Sequence, residues 1–255
     1  MPDNSERLTF TGSLGEKLTA RLDLPDGEAR AFAIFAHCFT CSKDYKSVLR
    51  ISRVLAEHAV AVLRFDFTGL GESQGDFSDT NFSTNLEDIR AAAGFLRDHY
   101  RPPALLVGHS LGGAAVLTAA RHIEEVRAVA TIAAPSDTQH LGTLLVTKAP
   151  QVRVEGMAEV EIGGRKLRIK RQLLDDLQGH SVLDSVSALG RALLIFHAPG
   201  DRVVQIEHAH RLFEAAAHPK SLISLGGADH LLSSERDALY VGKLLATWVD
   251  RYLDS

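Results

Sequence analysis

The feature that most constrains this chain is the stretch Leu105-Leu106-Val107-Gly108-His109-Ser110-Leu111-Gly112-Gly113-Ala114. An apolar run stops at Gly108, a serine follows two residues later, and an alanine-rich run extends from Ala114 to Ala120. Buried parallel strands read as short continuous apolar runs, and alanine is the strongest helix former. The stretch is therefore G-x-S-x-G set between a strand and a helix. A sharp strand-to-helix turn lifts the serine into a strained conformation at the top of a sheet. Side chains at positions 108 and 112 would collide with the crossing backbone, which explains the glycines. The new helix N-terminus beside Ser110 favours developing negative charge. The pattern marks Ser110 as a candidate nucleophile; the bland alternative is a glycine-serine turn that merely feeds a helix.

A hydroxyl near neutral pH is a poor nucleophile. It needs a base, and the base needs an orienting acid. In the strand-turn-helix version of such a site, the acid and then the histidine follow the serine in chain order. Ala192 to His197 reads as a buried strand and is followed by Ala198-Pro199-Gly200-Asp201. Ser221 to Leu225 is a further short apolar run and is followed by Gly226-Gly227-Ala228-Asp229-His230. Asp201 and His230 thus each sit just past a strand's C-terminal end. In an open α/β sheet those ends share one edge, where ligands bind. Taken alone, Asp201 is an ordinary turn residue in Pro-Gly-Asp. Asp229 is an alternative acid, but adjacent residues on an extended loop point apart. The chain has 12 histidines, and His109, inside the turn, is expected to point away from the nucleophile.

Over nearly its whole length the chain resembles the α/β-hydrolases. The resemblance rests on Gly108 to Gly113, on Gly200-Asp201-Arg202-Val203-Val204 and on Gly227-Ala228-Asp229-His230. It also rests on Arg64-Phe65-Asp66-Phe67-Thr68-Gly69-Leu70-Gly71-Glu72-Ser73, similar to the signature after that family's fourth strand. His37-Cys38-Phe39-Thr40-Cys41-Ser42-Lys43-Asp44 resembles the hydrolase half of two-domain proteins that fuse an α/β-hydrolase to an OsmC-like peroxidase domain. No OsmC-like half is seen before Ser255, so no peroxidase activity is carried over. The resemblance implies an α/β-hydrolase fold, with a mostly parallel eight-stranded sheet flanked by helices. It also implies an oxyanion hole made of the backbone N–H of Leu111 and one from the loop after the third strand, which maps onto Phe39. Here Cys38 stands where the family usually has glycine, which takes positive φ more readily.

Cys38 and Cys41 are the only cysteines. Their C-x-x-C spacing reads as a redox pair, as half a zinc site, or as two small residues lining the oxyanion loop. No second Cys/His pair at ligand spacing supports zinc, and the last reading is preferred. Redox control through the loop that carries Phe39 is the alternative.

At 255 residues the chain fits one large domain with a substantial core. A formal net charge of −4 gives no reason to expect nucleic acid. The first residues lack the apolar segment of a signal peptide, and no run approaches the ~20 apolar residues of a membrane span. With only two cysteines, a reducing cytoplasm is expected.

Strand and helix alternate from an opening hairpin over Leu8 to Leu24 to a final helix from about Glu235 to Tyr252. Thr84-Asn85-Leu86-Glu87 reads as a capping box opening one helix. Residues 136–189 interrupt the alternation. Within them Glu159 to Ile162 and Lys166 to Ile169 alternate polar and apolar around Gly163-Gly164, a hairpin signal flanked by helical segments. In this fold such an insertion is expected to lie over the active site as a cap or lid; a remote surface decoration is the alternative. Arg165, Lys166, Arg168, Lys170 and Arg171 read as a solvated face of the hairpin rather than a selector of anionic substrates.

The expected chemistry is acyl transfer to water by Ser110, His230 and Asp201, with no metal and no organic cofactor. A small or medium acyl ester is the leading substrate class; thioesters, amides and peptides need the same parts. A non-catalytic binding protein on the same fold is the alternative of another class. Beyond the acyl substrate, self-association and a functional link to a separate OsmC-like protein are the partners to be considered.

Overall fold

The computed structural model describes residues 4–38, 41–162 and 165–253, without the side chains of His140 and Arg165. Its central sheet has eight strands: β1 (Ser5–Thr11), β2 (Lys17–Asp23), β3 (Ala31–Ala36), β4 (Val60–Phe65), β5 (Pro103–His109), β6 (Ala128–Ile132), β9 (Ala192–His197) and β10 (Lys220–Ser224). They lie in the order β1-β2-β4-β3-β5-β6-β9-β10. The opening hairpin β1–β2 is antiparallel, β2 meets β4 antiparallel, and every later pairing is parallel. This is the mostly parallel α/β-hydrolase sheet that the sequence implies.

Because side chains alternate across a strand, each central strand feeds two cores. Ile34, Leu106, Val129 and Ile195 face one side, against α2 (Phe82–His99) and α3 (Leu111–Ala119). Phe35, Val107, Ala130 and Leu194 face the other, against α1 (Lys46–Glu57) and α9 (Glu235–Leu253). Coverage of both faces is why these strands are continuously apolar rather than alternating. Helix α2 starts three residues earlier than the Thr84 to Glu87 pattern suggests. Asn81 is its N-cap, accepting from the Thr84 N–H, while the Thr84 hydroxyl accepts from the Asn81 N–H. The capping box is therefore Asn81 to Thr84, and Thr84 closes it rather than opening one with Glu87.

Between β6 and β9 the insertion contains α4 (Gln139–Lys148), the short α5 (Val152–Glu155), an antiparallel hairpin of β7 (Met157–Ile162) and β8 (Arg165–Lys170), α6 (Arg171–Gln178) and α7 (Val182–Ser187). Ala158, Val160 and Ile169 are buried inward. Lys166 pairs with Glu159, Lys170 with Asp79 and Arg171 with Asp175. The insertion is tied to the start of α2: the Ser83 hydroxyl donates to Asp176 at 2.6 Å, and the Gln172 amide donates to the Ser78 carbonyl at 3.2 Å. Among the described residues no helix is long and apolar enough to cross a membrane.

Candidate active site

β5 ends at His109, α3 begins at Leu111, and Ser110 between them takes φ 54° and ψ −123°. The close crossing accounts for the glycines. A Cβ on Gly108 would lie 2.3 Å from the Gly112 carbonyl oxygen, and one on Gly112 would lie 2.4 Å from the carbonyls of Ala36 and His37. These are backbone contacts that no side-chain movement relieves.

The structure brings Ser110, His230 and Asp201 into one hydrogen-bonded chain. The His230 ring lies with Nδ1 2.8 Å from Asp201 Oδ2 and Nε2 3.1 Å from Ser110 Oγ. A carboxylate only accepts, so Nδ1 carries the proton and Nε2 is left to accept from the serine hydroxyl. Asp201 Oδ1 accepts from the N–H groups of Val203 and Val204 at 2.8 and 3.0 Å. Burial pushes the Asp201 carboxyl up, but the His230 ring and these two N–H groups outweigh it and hold the carboxyl below its usual range. Asp229 does not join this chain. Its Oδ1 accepts from the N–H groups of Leu231 and Ser233.

His109 has a part the sequence did not suggest. Its ring is buried and packs 5.2 Å from that of His230, and its Nε2–H donates to the His230 carbonyl at 2.7 Å. Burial, the largest cause, with the His230 charge, lowers its pKa to about 3, so the ring is neutral. His109 thus holds the backbone of the residue that holds Ser110.

Leu111 supplies the first N–H of α3, beside Ser110. Phe39, the other expected donor, lies outside the described residues. The segment that follows it is braced from β4. Lys43 is buried; its N–H donates to Asp66 Oδ1 at 2.7 Å and its Nζ to Asp66 Oδ2 at 2.8 Å and to Glu72 at 2.6 Å. Burial lowers the Lys43 pKa, but Asp66 and Glu72 overcome it and leave it raised. Arg64 donates to both oxygens of Asp23 on β2 at 2.6 and 2.9 Å. Lys43 and Asp66 are supports that sequence reasoning missed, because each partner comes from another part of the chain. Cys38 and Cys41 are buried and joined in a disulfide. The preferred reading of two small residues lining the oxyanion loop gives way to a bonded pair, whose Cα atoms lie 5.2 Å apart, within the range of a disulfide.

A model of the alpha/beta hydrolase family matches residues 33–242. The solved esterase domain of a Rhodothermus marinus protein is 50% identical, with 98% of this chain and 99% of that one covered and a TM-score of 0.80. Est1E from Butyrivibrio proteoclasticus, solved with ferulic acid bound, shares the fold at 22% identity and a TM-score of 0.80, over 97% of this chain and 100% of that one. The mitochondrial palmitoyl-protein thioesterase ABHD10 of Mus musculus is 26% identical over 207 residues, 76% of this chain and 65% of that protein. Its Homo sapiens counterpart is 29% identical over 156 residues, 56% of this chain and 48% of that protein. The chain thus spans between about half and two thirds of the length of these curated relatives. With most of its length matched by the family model, the chain belongs to the alpha/beta hydrolase family.

Proposed function

We propose that this protein is a serine hydrolase that cleaves small or medium carboxylic esters through an acyl-enzyme. The observation that carries this reading is the Ser110–His230–Asp201 chain, with hydrogen-bond distances of 3.1 and 2.8 Å. Ser110 Oγ attacks the acyl carbonyl as His230 Nε2 takes its proton. Asp201 keeps the imidazole in the required tautomer and stabilises its cation. The Leu111 N–H, with a second donor assigned to Phe39, receives the oxyanion. His230 then protonates the leaving group and activates water for deacylation. A small cavity beside the turn at Ser110 is lined by Phe67, Leu70, Phe77 and Leu111, together with the polar side chains of His37 and Asn85. The similarity to an esterase domain at 50% identity supports the ester class. The relatives named as palmitoyl-protein thioesterases favour thioesters as the second reading.

The deciding experiment combines a fluorophosphonate probe with a screen of acyl lengths on ester and thioester leaving groups. The probe is expected to label the wild type and not Ser110→Ala, and Ser110→Ala is expected to lose roughly 10³-fold or more in kcat. Absence of labelling in the folded wild type would instead favour a binding protein on a hydrolase scaffold.

A further inference from the structure

We propose that Cys38, Cys41 and His109, once the disulfide is reduced, form a binding site for a thiophilic cation of the zinc class. The three residues are buried, and their ligating atoms lie within 4.8 Å of one another. The C-x-x-C pair supplies two thiolates at a spacing common in zinc sites. The third ligand comes from the nucleophile turn, far along the chain, where inspection of cysteine spacing does not find it.

The His109 ring carries the independent argument. Its Nε2–H donates to the His230 carbonyl, so Nδ1 bears a lone pair. Among the described residues, that buried Nδ1 has no hydrogen-bond partner. A buried acceptor without a partner costs stability, so such atoms are few and call for an explanation. An imidazole with one bare nitrogen, and its other N–H on a backbone carbonyl, is in the form that binds metals. Charge supports the same assignment. Two thiolates and a neutral imidazole carry two negative charges, which cancel those of a divalent ion, so the loaded site is neutral and tolerates burial. Three protein ligands leave one coordination position open.

In the oxidised form the sulfurs are bonded to each other and do not ligate as thiolates. A dithiol reductant gives two electrons and two protons to the Cys38–Cys41 bond, yielding two thiols and the cyclic disulfide of the reductant. The divalent ion then displaces both thiol protons into solvent.

The test uses the whole chain and needs no ester, so its failure is separable from failure of the hydrolase reading. The protein is reduced with dithiothreitol, freed of reductant under argon, and titrated with Co²⁺ and then Zn²⁺. We expect one Co²⁺ per chain, a thiolate-to-cobalt charge-transfer band, and its loss on adding Zn²⁺. The oxidised protein and the Cys38→Ser/Cys41→Ser variant are expected to show no such band. His109→Gln is expected to weaken binding at least tenfold. X-ray absorption of zinc-loaded wild type, which requires no variant, is expected to find sulfur scatterers at about 2.3 Å with at least one nitrogen at about 2.0 Å. The proposal is overturned by a reduced, folded protein that gives no thiolate band, or by equal binding in the cysteine variant. A zinc shell without both sulfur and nitrogen, or a disulfide reducible only on unfolding, also overturns it.

Discussion

Asp229 is one residue from His230, yet its carboxylate is occupied in closing its own loop, while Asp201 reaches the ring from the neighbouring strand. The two acids are therefore expected to behave differently. Asp201→Asn puts an amide N–H against the Nδ1 proton and favours the wrong tautomer, so kcat is expected to fall by about 10⁴-fold. Asp229→Asn keeps an oxygen for the loop N–H groups and is expected to leave kcat near wild type. Ester kinetics on the two variants check this, and the reverse ranking would assign the acid's role to Asp229. At this scale the sequence was informative where a residue follows a strand, as Ser110, Asp201 and His230 do. It was silent on His109 and Lys43, whose roles depend on a carbonyl or carboxylate brought in from another segment.

Among the elements, the β7–β8 hairpin was legible because its strands alternate with period two around Gly163-Gly164. The structure bears out the strands and buries Ala158, Val160 and Ile169 beneath them. The six-residue helix α7 was not anticipated, since so short a helix carries too little periodicity to be recognised. We infer that the insertion caps this side of the site, because it is anchored on Ser78, Asp79 and Ser83, close in sequence to the cavity residue Phe77. Replacing residues 158–170 by a short Gly-Ser linker is expected to leave the eight-stranded sheet folded, as its strands lie outside that span. Preference among acyl lengths is expected to shift more than the rate on the smallest ester. A chain-length series measured on the folded variant decides, and an unchanged profile would make the hairpin a remote decoration.

For the whole molecule, buried neutral histidines set a limit on the acid side. Burial is the main cause lowering the pKa of His197 from 6.5, and its Nε2–H donates to the Val204 carbonyl. Below that value the unfolded chain takes up a proton that the native ring refuses. This contribution to stability is therefore complete above pH 6.5 and is lost as the pH falls. His197→Gln keeps an N–H for Val204 but does not titrate. Its urea midpoint is expected to decline less than that of the wild type between about pH 7.5 and about pH 5. Equal slopes would mean that the ring does not contribute to the acid loss. The edge that carries the site has a further property. Past the ends of the strands, the Ser110 N–H donates to the Ile132 carbonyl at 2.8 Å, the Ala133 N–H to Phe196 at 2.9 Å, and the Leu225 N–H to His197 at 2.8 Å. Main-chain groups thus index the serine to the segment before the histidine across four neighbouring strands, and side-chain identity does not enter. Pocket and insertion can drift under selection for new substrates while the reacting atoms keep their spacing, so a change of specificity in this scaffold need not begin with a loss of chemistry.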